Sequence, residues 1–160
     1  MTAQVDVQLA ADDESIPTAD DIAIWVNRAI DAAGNSGKRE VSVRVVGADE
    51  MQQLNREFRE QDKPTNVLSF PVGDLAGLPD EAEQPLGDIV ICAAVVAAEA
   101  VQQGKMQSDH WAHMIVHGTL HLLGFDHESD SDAAEMEGLE NRIMTDHGIA
   151  SPYGESPQEN

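Results

Sequence analysis

Residues 117–127 read His-Gly-Thr-Leu-His-Leu-Leu-Gly-Phe-Asp-His, three imidazoles within eleven positions. At about 100° per residue, His117 and His121 sit one turn apart on the same face of a helix. Two imidazoles so related can hold one divalent metal at about 2.0–2.1 Å from each nitrogen. Gly124 can adopt positive φ, end the helix and turn the chain back. That turn would let His127 approach as a third ligand. Three neutral imidazoles leave a fourth corner for water, the arrangement of a catalytic zinc site, where bound metal lowers the water's pKa from about 15.7 toward about 7. Zinc, one per chain, is the expected ion, although nickel, copper and iron also accept three imidazoles.

The spacing is that of the H-E-x-x-H-x-x-G-x-x-H zinc proteases with one difference. Their general base is the glutamate at the second position, and here that position is Gly118. No carboxylate stands there to take a proton from water or to protonate a departing amine, so peptide hydrolysis suffers most. A phosphodiester asks instead for charge neutralisation and an in-line nucleophile, which a metal and a nearby cation can supply. Ligands without the acid therefore tilt toward phosphate chemistry. Asp126 and Glu128 flank His127 and are candidates to support the imidazoles or to serve as bases. His110 and His113 share the stripe of His117 and His121 within roughly 80° of arc, and His113 could pair with His117. Only the 117/121/127 trio has a glycine turn placed to close it. His110, His113 and His147 read as hydrogen-bonded core or surface residues.

The elements that must position these side chains are legible in outline. "VDVQLA" (5–10), "EVSVRVV" (40–46), "KPTNVLSFPV" (63–72) and "DIVIC" (88–92) read as four strands. Thr18 caps a helix that runs to Gly34 and carries Ile22, Trp25, Val26, Ala29, Ile30 and Ala33 on one face. Residues 48–60 place Met51, Leu54 and Phe58 at helical spacing. A third helix covers 93–104, and a fourth opens at Ser108 and runs through the histidines to Gly124. The fifth, roughly 131–146, presents Met136, Leu139, Ile143 and Met144 to a core. Residues 73–87, rich in Gly, Pro and acids, read as an exposed excursion. The expected fold class is α+β: a small, mostly mixed sheet of about four strands covered by about five helices, with the metal site on one helix and the turn after it.

One domain spanning residues 1–160 is expected, with a lead-in at about 1–4 and a tail at about 154–160 that fray. The lone Cys92 argues for no disulfide, and neither a signal sequence nor a membrane span is evident, so the expected location is the cytoplasm. Thirty acids against nine bases give a net charge of −21. Residues 1–21 carry −6, residues 128–160 carry −8, and the long middle only −7. Such a field counts against DNA and other polyanions at long range.

Several ordered blocks resemble one family. "HWAHMIVHGTLHLLGFDH" is similar to the signature of the YbeY-type endoribonucleases, bacterial ribosomal-RNA maturation factors. "LNREFREQDKPTNVLSFP" (54–71), "GDIVIC" (87–92) and "DAAEMEGLENRIM" (132–144) are similar to that family's other blocks, over roughly residues 40–153. Cys92 stands where the family more often has serine. The resemblance implies a metal-dependent, single-strand-preferring endoribonuclease acting in rRNA maturation and ribosome quality control. Its partners would be single-stranded rRNA and the small ribosomal subunit with its proteins. His117, His121 and His127 match the family's zinc ligands, and Arg59 matches an arginine held to be important for activity. A guanidinium there could pair with a phosphate oxygen and stabilise developing charge. Arg56 and Lys63 are weaker candidates for RNA backbone contacts. A small electropositive groove of metal, Arg59 and Lys63 is expected within the acidic surface. Two other readings stand beside the nuclease: a metal-stabilised ribosome-assembly factor with little catalysis, and a zinc metalloprotease lacking its glutamate.

Overall fold

The computed structural model describes residues 3–34, 39–72, 84–126 and 128–152. Its elements, in chain order, are β1 (Ala3–Leu9), α1 (Ala19–Ala32), β2 (Arg39–Val46), α2 (Ala48–Arg59), β3 (Val67–Pro71), β4 (Gln84–Cys92), α3 (Ala93–Gln103), α4 (Gln107–Leu122) and α5 (Asp130–Asp146). The sheet order is β1-β2-β4-β3, with β1, β2 and β4 parallel and β3 antiparallel to β4. This is the mixed four-stranded sheet with five helices that the alternation and periodicity predict.

Strand periodicity sorts the sheet's two faces. Val41, Val43, Val45, Ile89 and Ile91 point to one side, where they bury against Ile22, Val26 and Ile30 of α1 and Trp111, Met114 and Ile115 of α4. Asp6, Gln8, Arg44 and Asp88 belong to the other side. There α2 covers only part of the sheet, closing a smaller cluster of Val46, Met51, Leu68, Val90 and Cys92. α5 packs outside α4 and α1 through Met136, Ile143 and Met144. Helix α4 therefore runs between the sheet and two helices. Eleven of its sixteen residues are buried, which is why its sequence is apolar on nearly every face.

Boundaries differ from the expected ones where local chemistry decides. The chain enters β3 at Val67, not Lys63, because residues 60–63 fold back on α2. Asn55 donates Nδ2–H to the Lys63 carbonyl at 2.8 Å, and Gln61 N–H donates to the Asn55 carbonyl at 3.3 Å. β4 starts at Gln84, four residues before the β-branched run, so 84–87 belong to the sheet and not to the excursion. Residues 73–83 lie outside the described residues. A register shift between Glu40 and Val41 leaves Leu86 as the extra residue, and Gly87 follows it at φ 140°. α4 opens at Gln107 behind Met106, without the expected serine at its head. Thr18 caps α1 as expected, its Oγ1 accepting from Asp21 N–H at 3.1 Å.

Helix α2 ends on Glu60 in the left-handed region, φ 58° and ψ 31°, the only non-glycine with positive φ among the described residues. A side chain there costs about 1–2 kcal/mol, while glycine takes that conformation without strain. Glu60→Gly is expected to raise stability by about 0.5–1 kcal/mol in urea unfolding, whereas Glu60→Ala, which keeps the Cβ, brings no such gain.

Candidate metal centre

His117 and His121 lie one turn apart on α4, as the spacing predicts, and their Nε2 atoms face each other at 3.2 Å. Two nitrogens bound to one tetrahedral ion at 2.0–2.1 Å stand about 3.3–3.4 Å apart. The pair thus holds its donor atoms at very nearly the edge length of a tetrahedral site, and both donors are of the type zinc takes. Gly124 ends the helix at φ 102°, and Phe125 N–H closes back onto the Leu120 carbonyl at 3.0 Å. The turn needed for a third ligand is therefore present. His127 itself lies outside the described residues.

The histidines are held from behind by a carboxylate that sequence reasoning missed. Glu140 of α5 is fully buried. Its Oε2 accepts from His117 Nδ1 at 2.7 Å and its Oε1 from His113 Nε2 at 2.8 Å. An ionised carboxylate only accepts, so His117 carries its proton on Nδ1 and turns the Nε2 lone pair toward His121. Asp126 and Glu128 flank His127, and a role for them there lies outside the described residues. Asp126 accepts from the Glu128 backbone N–H at 3.2 Å. The signal that could have found Glu140 was the stripe of α5 itself: position 140 falls beside Met136, Ile143 and Met144 on the buried face.

Electrostatics follows from this packing. Burial pushes the Glu140 carboxyl up, but hydrogen bonds from His113 and His117, with their electrostatic pull, outweigh it and bring its pKa to about 2. Burial also dominates at His113 and lowers its pKa, against the hydrogen bond and charge of Glu140. His113 is therefore a neutral donor at neutral pH. Donor atoms of His113, His117 and Glu140 all lie within 4.8 Å of one another and could themselves be read as a metal cluster. The short contacts inside that group are hydrogen bonds to Glu140, while His117 Nε2 faces His121. His110, 2% exposed, binds Glu99 of α3 at 2.9 Å through Nε2. It is a core histidine hydrogen-bonded through Nε2 to a carboxylate.

Gly118 answers the question its position raises. A Cβ there would meet Ile89 Cγ2 at 2.9 Å, Val67 Cγ2 at 3.2 Å and Ser69 Oγ at 3.4 Å. Ser69 donates its hydroxyl to the Gly118 carbonyl at 2.9 Å. The residue lets α4 settle onto β3 and β4, and a side chain at 118 would point into the sheet.

Arg59 is the last residue of α2 and is exposed, as are Arg56 and Lys63. Helix α2 lies on the sheet face opposite α4. Arg56 pairs with Asp62 at 3.6 Å across solvent. Arg59 and Lys63 of the expected groove thus stand at and just after the end of a helix that packs on the sheet face opposite the histidine helix.

Comparison with known proteins bears on this arrangement. Residues 7–148 match the family described as Endoribonuclease YbeY. The chain is 52% identical over 141 residues to an Endoribonuclease YbeY of Halorhodospira halophila, covering 88% of this chain and 90% of that one. It is 48% identical over 157 residues to that of Chromohalobacter salexigens, covering 97% and 100%. A Thermotoga maritima protein solved in solution shares the fold at TM-score 0.55 and 23% identity, over 90% of this chain and 91% of that one. No helix among the described residues is long and apolar enough to cross a membrane.

Proposed function

Because this chain belongs to the YbeY family of endoribonucleases, we propose that it cleaves single-stranded RNA during ribosomal-RNA maturation at one zinc ion held by His117, His121 and His127. The observation that carries the reading is the 3.2 Å approach of two Nε2 atoms, one of them oriented by a buried carboxylate. A bound divalent metal supplies a Lewis acid that activates water and neutralises phosphate charge. The chain's own residues do the rest. Glu140 keeps His117 in the ligating tautomer. Gly118 removes the carboxylate that peptide hydrolysis would use. Arg59 supplies a bidentate cation for a phosphate oxygen as the RNA bends around the edge of β3. Cytoplasmic location, and the small ribosomal subunit with its proteins as partner, complete the proposal and suit a chain whose net charge of −21 gives it little general attraction for RNA.

Arg59→Glu is expected to retain zinc, measured by elemental analysis, while single-strand cleavage falls at least 100-fold. Full activity in that variant would remove Arg59 from the reaction. His117→Ala should lose both metal and cleavage. Product ends report the nucleophile: a 2′,3′-cyclic phosphate means attack by the RNA's own hydroxyl, and a directly formed monophosphate means water.

A further inference from the structure

β3 is the terminal strand of the sheet, with no strand beyond it among the described residues. Consecutive side chains of β3 serve opposite faces. Ser69 turns to α4 and binds the carbonyl of Gly118, the residue after His117. Phe70 lies on the other face against Phe58 of α2, ring centroids 5.2 Å apart and planes at 70°. The two faces meet at the strand's rim, so the aromatic pair and the histidine helix α4 lie on opposite faces of the same edge strand.

That rim is poorly suited to pairing with a peptide. Cys92 N–H donates to the Asn66 carbonyl at 2.9 Å and Val72 N–H to the Leu86 carbonyl at 3.0 Å. In an antiparallel ladder, Asn66, Leu68, Phe70 and Val72 then direct their backbone groups to β4, while Val67, Ser69 and Pro71 direct theirs outward. Val67 N–H is already taken by Asn66 Oδ1 at 2.6 Å, and Pro71 has no N–H. Ser69 supplies the only outward amide not taken, and an added strand needs alternating donors and acceptors.

Phe58, meanwhile, is 60% exposed and is the only aromatic among the exposed large hydrophobics of the described residues. Burying such a ring is worth about 1.5–3 kcal/mol, so its exposure is not explained by folding. Arg56, Arg59 and Lys63 surround it in sequence, interleaved with Glu57, Glu60 and Asp62, so this stretch is neutral in a strongly acidic chain, and Arg59 adjoins Phe58 directly. An open aromatic face beside cations is what single-stranded nucleic acid uses, a base stacking on the ring while phosphates meet the guanidinium.

We propose that one unpaired base of the RNA substrate stacks on Phe58 and that the strand crosses the rim of β3 from there to the His117–His121 pair. The inference rests on the nuclease reading and assigns Phe58 a positioning role within it. A flexible single strand can bend over such an edge, and a stiff A-form duplex cannot.

The test compares Phe58→Leu, which keeps apolar bulk on Phe70 but loses the π face, with Phe58→Trp, which enlarges that face. For zinc-loaded protein and oligouridylate, Phe58→Leu should raise KM about tenfold with kcat, zinc content and Tm unchanged, and Phe58→Trp should restore wild-type KM or better. Binding of a cleavage-resistant 2′-O-methyl oligouridylate should weaken by the same factor in Phe58→Leu. A Phe58→Leu protein that binds and turns over oligouridylate like wild type overturns the proposal, as does a loss confined to kcat or Tm. Phe58-dependent binding in a protein that cuts no RNA would uphold the platform and overturn the nuclease reading instead.

Discussion

Gly118→Glu, which completes the zinc-protease spacing, is expected to give an insoluble or unfolded protein with no peptidase activity. The new side chain would start 2.9 Å from Ile89 Cγ2 and 3.2 Å from Val67 Cγ2, aimed at the sheet. Ionised, it would place an unpaired charge against β-branched side chains, at a cost of several kcal/mol. That is a large share of the roughly 5–15 kcal/mol by which a domain is stable. Gly118→Ala isolates the steric part. Helix propensity favours alanine by about 1 kcal/mol, but the added methyl forces α4 off the sheet at about 1–3 kcal/mol. A net fall in Tm of a few degrees should follow in thermal unfolding. An alanine variant as stable as wild type would show that the helix can shift freely, and the steric account of this glycine would fail.

Replacing Glu140 should have the second large effect, and the two changes at that position separate its roles. Glu140→Ala leaves two buried imidazole N–H groups without their acceptor, each worth about 1–3 kcal/mol. Glu140→Gln keeps the shape but provides one acceptor and one donor where the carboxylate provides two acceptors. One of the two imidazoles must then change tautomer. If it is His117, its Nε2 gains the proton and can no longer ligate. Metal affinity in Glu140→Gln should therefore fall about 10–100-fold, read by competition with a zinc chelator, and cobalt-loaded protein should show an altered visible spectrum. In metal-free protein the linkage runs in one direction. The folded carboxyl sits near 2, below its ordinary value of 4.5, so it stabilises the fold fully above about pH 4.5 and loses that contribution as pH falls toward 2. The Tm gap between wild type and Glu140→Gln should be widest near neutrality and close over that interval. A gap that stays constant to pH 2 would contradict an ionised Glu140.

Much of this molecule is legible from one sequence because its elements obey simple periods. Valines at 41, 43 and 45 alternate as a half-buried strand must, and Gly124 stops the histidine helix where a positive φ is needed. The i, i+4 relation alone predicts that His117 and His121 meet. What escaped was set by contacts distant in sequence. Glu140 reads as one more acid in an acidic tail until α5 is laid against α4. Phe58 has the helical spacing of Met51 and Leu54, yet α2 covers only part of its sheet face and leaves the ring in solvent. His110 and His113 look like alternative ligands on the same stripe, and only Glu99 and Glu140, from two other helices, show why buried imidazoles are tolerated there.

One further carboxylate has a consequence for anyone who would redesign this protein. Glu99 of α3 accepts from Asn66 Nδ2 with both oxygens at 3.2 Å and also meets His110 on α4. A single side chain thereby bolts the start of the edge strand to the first turn of the histidine helix. Altering the substrate path by grafting a new segment between Lys63 and Val67 would tug on the ligand-bearing helix at the same time. The edge strand and α4 are mechanically joined through Asn66 and Glu99, and a graft that keeps this asparagine should change the one without unseating the other.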